Sequence, residues 1–282
     1  MIKDYFCTYL TSIKISILIL VISGTVSAET VDKAKTKTSQ WELGIGAGVL
    51  DIPLYPGSSQ NKTYFLPIPH ILYRSENLEI DNGLQATFLR TQKVRVDISA
   101  DIGVPVNSQE STLRQGMPDI DLVLQFGPSL EITLDGGRFE PNHTRLELPV
   151  RAAIATDFSS AEHVGWIFEP RLTFETRRPE KTGFAYLLSG GLRFATEDYN
   201  DYYNAVDQKF STPEKPAFDS GGGYSGLFVD AIANWRTRDL IFFAFVRYQN
   251  LTSSEFEDSP LVEQNDYYFI GAGMTWVFAR NI

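Results

Sequence analysis

The chain has 282 residues, a net charge of -10, 43% apolar residues and 13% aromatic residues. A chain this apolar and aromatic is not disordered, and its acidic balance argues against nucleic-acid binding, which usually needs a basic face. Only one segment, Ile15 to Ile22, approaches a continuous apolar run, which excludes a helical membrane protein with several spans. The composition still allows a membrane β-barrel, because lipid-facing residues alternate there with polar ones.

Residues 1–28 have the features of a secretory signal peptide. A positively charged start and a short apolar segment are followed by a small-residue cleavage site that ends at Ala28. We expect cleavage near Ala28, and an uncleaved N-terminal anchor is the alternative. Because Cys7 is the only cysteine, the mature chain would contain no disulfide and no thiolate site.

Residues 29–40 are polar and have no periodicity, so we interpret them as a flexible tail ahead of a single domain at 41–282. Within this domain apolar residues recur at every second position, which places them on one face of a strand. About eleven segments follow this pattern. They lie at 41–50, 63–74, 77–88, 93–104, 118–134, 143–155, 164–177, 183–194, 223–235, 239–250 and 266–279.

The length of these segments indicates the fold class. Most have ten or more residues, whereas globular strands average ~5–6 residues and membrane-barrel strands need ~9–11. Tight connections alternate with long polar ones, as expected for periplasmic turns and external loops. The long connections are 51–62, 105–117, 195–222 and 251–265, and the last two are acidic. The sequence therefore predicts an all-β protein, a transmembrane antiparallel β-barrel of the bacterial outer membrane.

The count of eleven segments needs a correction, since single-chain bacterial barrels have an even number of strands. We attribute the odd count to the stretch 63–88. Pro67 and Pro69 cannot donate to a ladder, and Asp81-Asn82-Gly83 is a turn signal inside a segment counted as one strand. We expect twelve strands, with ten as the alternative.

The two faces of the predicted strands carry different residues. Outward aromatic residues near strand ends match the girdles of membrane barrels; they are Trp41, Trp166, Trp235, Tyr248, Tyr268, Trp276 and Phe278. The inward faces carry both charges, among them Glu42, Arg95, Asp97, Asp101, Asp119, Asp121, Glu131, Arg151, Glu169 and Arg193. We expect these charges to pair across a small lumen and close it. A narrow aqueous pore is the alternative.

Three motifs are more specific than the alternation. They are Tyr55-Pro56-Gly57-Ser58, Pro67-Ile68-Pro69 with Tyr73, and Asp119-Ile120-Asp121. In these motifs the chain resembles the MltA-interacting protein family (MipA/OmpV), and the similarity spans essentially the whole mature chain. The resemblance implies a barrel without known catalysis, in the outer membrane of a Gram-negative bacterium and in contact with its lipid and lipopolysaccharide.

The resemblance also implies a function. The family's name comes from an adaptor role that holds a lytic transglycosylase near a penicillin-binding protein in peptidoglycan synthesis. We therefore expect a non-catalytic scaffold without a cofactor, and a small pore or an adhesin-like surface barrel is the alternative. The motif residues have a structural or partner-binding role that the sequence does not assign. For residues 55–58 we favour a loop turn, with Pro56 and Gly57 at its central positions.

Catalytic signals are weak in this sequence. Residues 157–163 bring aspartate, serine and histidine close together, but the chain has no Gly-x-Ser-x-Gly elbow. It also has no metal-ligand spacing, phosphate loop or nucleotide fingerprint. His70 shares a predicted strand face with Leu66, Ile68 and Leu72, and His143 follows Asn142 in a predicted turn. We expect no enzymatic activity, and an outer-membrane lipid hydrolase is the less favoured alternative.

Overall fold

The computed structural model of the chain describes residues 40–74, 78–81, 84–91, 93–136, 142–176 and 182–281. The predicted signal peptide, the predicted tail up to residue 39, and most of the tight turns expected at 75–76 and 178–182 lie outside the described residues. Among the residues that are described, no helix is long and apolar enough to cross a membrane.

In the described part of the chain, thirteen antiparallel strands form one sheet. They are β1 (Gln40–Pro53), β2 (Asn61–Arg74), β3 (Leu78–Asp81), β4 (Leu84–Arg90), β5 (Val94–Gly103), β6 (Leu122–Asp135), β7 (Asn142–Thr156), β8 (Ala161–Phe168), β9 (Arg171–Thr176), β10 (Gly183–Ala195), β11 (Gly223–Arg236), β12 (Leu240–Asn250) and β13 (Asp266–Arg280). A helix, α1 (Glu197–Asn204), and two 3-10 turns (Ser108–Glu110 and Gln208–Phe210) lie in the loops.

The sheet closes on itself because β13 pairs with both β12 and β1. β8 and β9 occupy one place in the ring, since both pair with β7 on one side and with β10 on the other. They are separated by Glu169 and Pro170. The described strands therefore fill twelve positions, and this confirms the predicted barrel with an even strand number.

The mismatch in the strand count is explained by a short hairpin. The segment 77–88 contains two strands, β3 and β4, on either side of residues 82 and 83. β3 pairs with β2 only from Leu72 to Arg74, and β4 pairs with β5 only from Arg95 to Asp97. β2 continues through both prolines and pairs with β1 along its whole length. The hairpin thus occupies only part of the wall between β2 and β5.

Burial alternates along the strands as the sequence predicts. In β1, Leu43, Ile45 and Val49 are exposed on the outer face, whereas the inward Glu42 is fully buried. The outward aromatic residues are about half exposed; they include Trp166, Trp235, Tyr268, Trp276 and Phe278. Contact with hydrocarbon requires such an apolar outer band, and the closed ladder supplies partners for its backbone groups.

The two ends of the barrel differ. The long connections 54–60, 104–121, 196–222 and 251–265 all leave the sheet at one end, which we call the loop end. The short connection 237–239 lies at the opposite, turn end, where β1 begins and β13 ends, whereas the short connection 157–160 lies at the loop end.

One predicted strand boundary is wrong. β6 begins at Leu122, so Asp119 and Asp121 lie in the loop 104–121 and not on an inward strand face. Between them, Ile120 forms an isolated bridge with Val106 of the same loop.

Candidate functional site

The four long loops pack together into a loop cap, which we define as residues 54–60, 104–121, 196–222 and 251–265. Their apolar side chains share one buried cluster with the adjoining strand ends. The loop members are Leu54, Tyr55, Val106, Met117, Ile120, Tyr199, Tyr203, Val206 and Leu261. Burying an apolar side chain of this size contributes ~1.5–3 kcal/mol. The connections that look polar in the sequence therefore form a folded structure with its own core.

A buried arginine joins three of these loops. The Arg114 guanidinium donates to the Tyr203 carbonyl at 2.8 Å and to the Pro118 carbonyl at 3.2 Å. It also donates to the Ser108 hydroxyl at 3.3 Å and lies 5.6 Å from the centre of the Tyr55 ring. Burial lowers the pKa of Arg114 from its usual value. The contacts of this one side chain hold the first, second and third cap loops to one another.

The Tyr55-Pro56-Gly57-Ser58 motif is a turn inside the cap. The Ser58 N–H donates to the Tyr55 carbonyl at 3.0 Å, and Gly57 has a φ of 87°, as the third position of a type II turn requires. The Gly57 carbonyl accepts the N–H groups of Glu263 at 2.8 Å and Gln264 at 3.1 Å. The turn therefore connects the first cap loop to the last one.

The other motif residues lie in two places. Asp119 accepts the Ser108 N–H at 2.7 Å inside the cap, and the Asp121 N–H donates to the Tyr202 hydroxyl at 2.9 Å. Pro67, Pro69 and Tyr73 belong to β2, in the barrel wall. The structure thus brings residues 55–58 and 119–121 together and leaves the β2 motif apart from them.

Carboxylates of the acidic loops hold backbone groups within the cap. Asp201 accepts the Ser220 N–H at 2.6 Å, and Glu263 accepts the Ser59 N–H at 3.0 Å. These acidic residues stabilise the loops that contain them. Within the described residues, no group of three or more histidine, cysteine, aspartate or glutamate side chains is arranged to hold a metal ion.

The lumen contains a network of ion pairs. Glu169 is fully buried and contacts three arginines: Arg193 at 2.7 Å, Arg171 at 3.0 Å and Arg151. Further pairs are Arg95–Glu131 at 2.5 Å, Arg145–Glu175 at 2.6 Å, Arg145–Glu147 at 2.9 Å and Arg247–Asp230 at 2.5 Å. Charges of both signs are therefore paired inside the barrel, as burial demands.

A second buried cluster lies near the turn end. Arg236 donates to both carboxylate oxygens of Glu42, at 2.9 and 2.5 Å, and His70 Nε2 lies 3.3 Å from the same carboxylate. The three residues come from β11, β1 and β2, so the cluster links strands across the lumen.

The residue types considered for catalysis are engaged in other contacts. The Ser159 hydroxyl donates to the Asp157 carboxylate at 2.8 Å, and the N–H groups of Ser159 and Ser160 donate to it as well. These hydrogen bonds hold the pKa of Asp157 well below its usual range. His163 packs against Trp166 with ring centres 5.5 Å apart. The serine hydroxyl is thus paired with a carboxylate in a turn, which is not the geometry of a nucleophile and its base.

Comparison with known protein families identifies the chain. The family described as MltA-interacting protein MipA matches residues 45–278. The chain belongs to the MipA family. This confirms the resemblance seen in the sequence motifs, and a MipA-family barrel with an apolar outer band is an outer-membrane protein.

Solved structures show weaker similarities. The Pseudomonas putida toluene transporter TodX is 10% identical, with 86% of this chain and 89% of that chain covered and a TM-score of 0.31. Pseudomonas aeruginosa OpdQ is 11% identical, with 86% and 98% covered and a TM-score of 0.22. No curated protein matches the MipA-family chain at a significant level.

Two features of the cap were not predicted from the sequence. Arg114 lies in a polar stretch, and no local signal distinguishes it from an exposed arginine. For α1 a signal exists, because Tyr199, Tyr202 and Tyr203 recur at helical spacing.

Proposed function

We propose that the protein is a non-catalytic scaffold that holds peptidoglycan-remodelling enzymes, a lytic transglycosylase together with a penicillin-binding protein, at the outer membrane. Membership in the family described as MltA-interacting protein carries this proposal. The paired serine and carboxylate at Ser159 and Asp157 support a role without catalysis.

We assign the partner contact to the turn end. Short turns of outer-membrane barrels face the periplasm, where murein enzymes act, and the loop cap lies at the opposite end. Exposed turn-end residues include Lys93, Arg238 and Asp239. Arg280 pairs with Asp239 at 2.6 Å and donates to the Arg238 carbonyl at 2.5 Å. This ordered turn gives the partner a fixed polar surface.

Site-specific photocrosslinking in native membranes tests the assignment. A photoreactive residue at Arg238 is expected to capture a lytic transglycosylase or a penicillin-binding protein. The matched control is Phe158, which is 88% exposed at the loop end and should capture neither enzyme. Absence of peptidoglycan enzymes at both Arg238 and Lys93 contradicts the scaffold.

A small pore is the second candidate, and one observation favours it. A cavity of about 340 Å³ lies in the lumen, lined by charged and apolar residues. The loop cap and the Glu42–Arg236 pair oppose conduction, because they occupy the two ends of the barrel. Recording in planar bilayers separates the two functions: we expect no conductance steps, and regular steps would establish the pore.

A further inference from the structure

In the part of the chain that the structure describes, the wall between β2 and β5 is incomplete on its loop side. Among the described residues, positions 61–71 of β2 have no ladder partner on the β3 side, because that pairing covers only Leu72 to Arg74. Positions 98–103 of β5 likewise have no partner on the β4 side. We call this opening the side window.

The side window is bounded towards both ends of the barrel. Towards the loop end, the loop that follows β5 reaches across to β2: Lys62 Nζ lies 2.5 Å from a Glu110 carboxylate oxygen, and the Thr112 N–H donates to the Gln60 side chain at 2.6 Å. Towards the turn end lies the β3–β4 hairpin. The opening is therefore a hole in the wall between closed parts of the barrel.

The β2 edge is poorly suited to pair with another strand. Pro67 and Pro69 lie on this edge and lack the N–H that a ladder needs, and prolines are a common protection of unpaired edges. In hydrocarbon an unpaired N–H costs several kcal/mol, so the two prolines also remove part of the cost of leaving the edge open. The edge thus favours contact with a molecule that needs no backbone hydrogen bonds.

The inner wall beside the side window is apolar. Four residues are neighbours in the ladder across adjacent strands: Phe243 of β12, Gly273 of β13, Gly48 of β1 and Leu66 of β2. A Cβ atom on Gly273 would come within 2.4 Å of the Phe243 ring. Glycine at this position therefore leaves room for the Phe243 ring against the wall.

The lumen has open space beside the side window, and a cavity lies further inside. Leu66 points inward by its strand parity and is still 43% exposed, so it faces an unfilled space. The cavity is lined by Asp101 at the β5 edge of the window and by Phe245 and Phe269 on the far strands. Its volume of about 340 Å³ lies within the ~300–1,000 Å³ range of small-molecule sites.

We propose that the acyl chain of a membrane lipid enters through the side window and packs in the lumen against Leu66, Phe243 and Phe245. The membrane supplies this ligand at the window, where the outward Phe65 is 84% exposed to lipid. The charges that line the cavity balance, with Arg145, Arg171 and Arg247 against Asp101, Glu147 and Asp230. A lining without net charge gives no attraction for a free anion, and the apolar contacts of the chain are those with Leu66, Phe243 and Phe245. The proposal is independent of the scaffold function.

Quenching by brominated lipid tests this proposal. Cys7 is the only cysteine of the chain, so a Cys7→Ser background permits a single label elsewhere. Bimane is attached to Phe243→Cys in vesicles of phosphatidylcholine with dibrominated acyl chains. We expect quenching comparable to that of the lipid-facing Phe65→Cys. It should be several-fold stronger than that of Thr133→Cys, a luminal site on β6 outside the residues proposed to contact the chain.

Further variants make each outcome decisive. Adding Leu66→Trp, which fills the window from inside, should reduce quenching at position 243 several-fold. Folding of each variant is checked by its heat-modifiable gel mobility, and Leu66→Cys serves as the reporter if Phe243→Cys does not fold. Quenching no stronger than at Thr133→Cys overturns the proposal. Disulfide-linked dimers of Pro67→Cys also overturn it, because they would mean that a second copy covers the window.

Discussion

Arg114 lies over the ring of Tyr55, with its guanidinium carbon 5.6 Å from the ring centre, and both side chains are buried in the loop cap. Tyr55 belongs to the Tyr55-Pro56-Gly57-Ser58 motif, and Arg114 belongs to a loop about sixty residues further along the chain. The motif therefore has a packing role in closing the loop end of the barrel, whatever else it contacts.

The loop cap should open when Arg114 is removed. Arg114→Ala leaves the Tyr203 and Pro118 carbonyls without their donor, and hydrogen bonds from a charged group contribute about 1.5–3 kcal/mol each. Loss of about 3 kcal/mol raises the population of the open cap about 100-fold. Limited chymotrypsin digestion measures this as faster cleavage after Tyr203, which is buried in the folded cap.

Lys209→Ala is the control for this digestion. Lys209 pairs with Asp207 at 2.7 Å, but both side chains are more than half exposed, and such pairs contribute about 0–1 kcal/mol. The cleavage rate after Tyr203 should change less than about fivefold in this variant. Equal rates in Arg114→Ala and Lys209→Ala would contradict the structural role of Arg114.

Two glycines with the same backbone conformation should respond differently to alanine. Gly57 has a φ of 87° and Gly116 a φ of 82°, so both substitutions bear the left-handed strain of about 1–2 kcal/mol. A Cβ on Gly57 would also lie 3.0 Å from Val262, whereas nothing lies within 4 Å at Gly116.

We expect Gly57→Ala to destabilise the cap by about 1–3 kcal/mol more than Gly116→Ala, which is the usual cost of overpacking. The same chymotrypsin digestion after Tyr203 measures the difference. Similar rates for the two variants would mean that Val262 moves aside without cost.

Buried and exposed ion pairs of the barrel should differ in strength. Glu42 is fully buried and bidentate with Arg236, so removing either partner leaves a buried charge and costs about 3–5 kcal/mol. The exposed pair Lys62–Glu110 should contribute at most about 1 kcal/mol. Double-mutant cycles of urea unfolding in lipid vesicles measure both couplings. A coupling for Glu42–Arg236 as small as that of Lys62–Glu110 would contradict the expected strength of the buried cluster.

The barrel could be predicted from the sequence because its physical cause is local. Lipid contact on one side and a polar lumen on the other impose alternation within each strand, and the strand direction follows from loop lengths. Even the hidden strand had a local signal, Asp81-Asn82-Gly83, in a segment that otherwise reads as one strand.

The loop cap could not be predicted in the same way. Its contacts join residues that are far apart in the chain, such as Arg114 with Tyr203 and Gly57 with Glu263. Polar loop residues can be buried only because residues of other loops form hydrogen bonds with them. No local sequence pattern indicates which residues these partners are. The side window depends likewise on how high a short hairpin reaches in the wall, which is a matter of register.

The turn between β7 and β8 should contain an aspartate with a lowered pKa, Asp157. Asp157 accepts hydrogen bonds from Ser159 and Ser160, which lower its pKa from the ordinary value of 3.8. Because the folded pKa is the lower one, the carboxylate stabilises the turn fully above about pH 3.8, and this contribution is lost as the pH falls towards the folded pKa.

The aspartate carboxyl ¹³C signal, followed by NMR against pH, should therefore titrate below 3.8. Ser159→Ala should move the midpoint upward, and Lys209→Ala, in another loop, should leave it unchanged. A midpoint at or above 3.8 in the unsubstituted protein would show that these hydrogen bonds do not persist in solution.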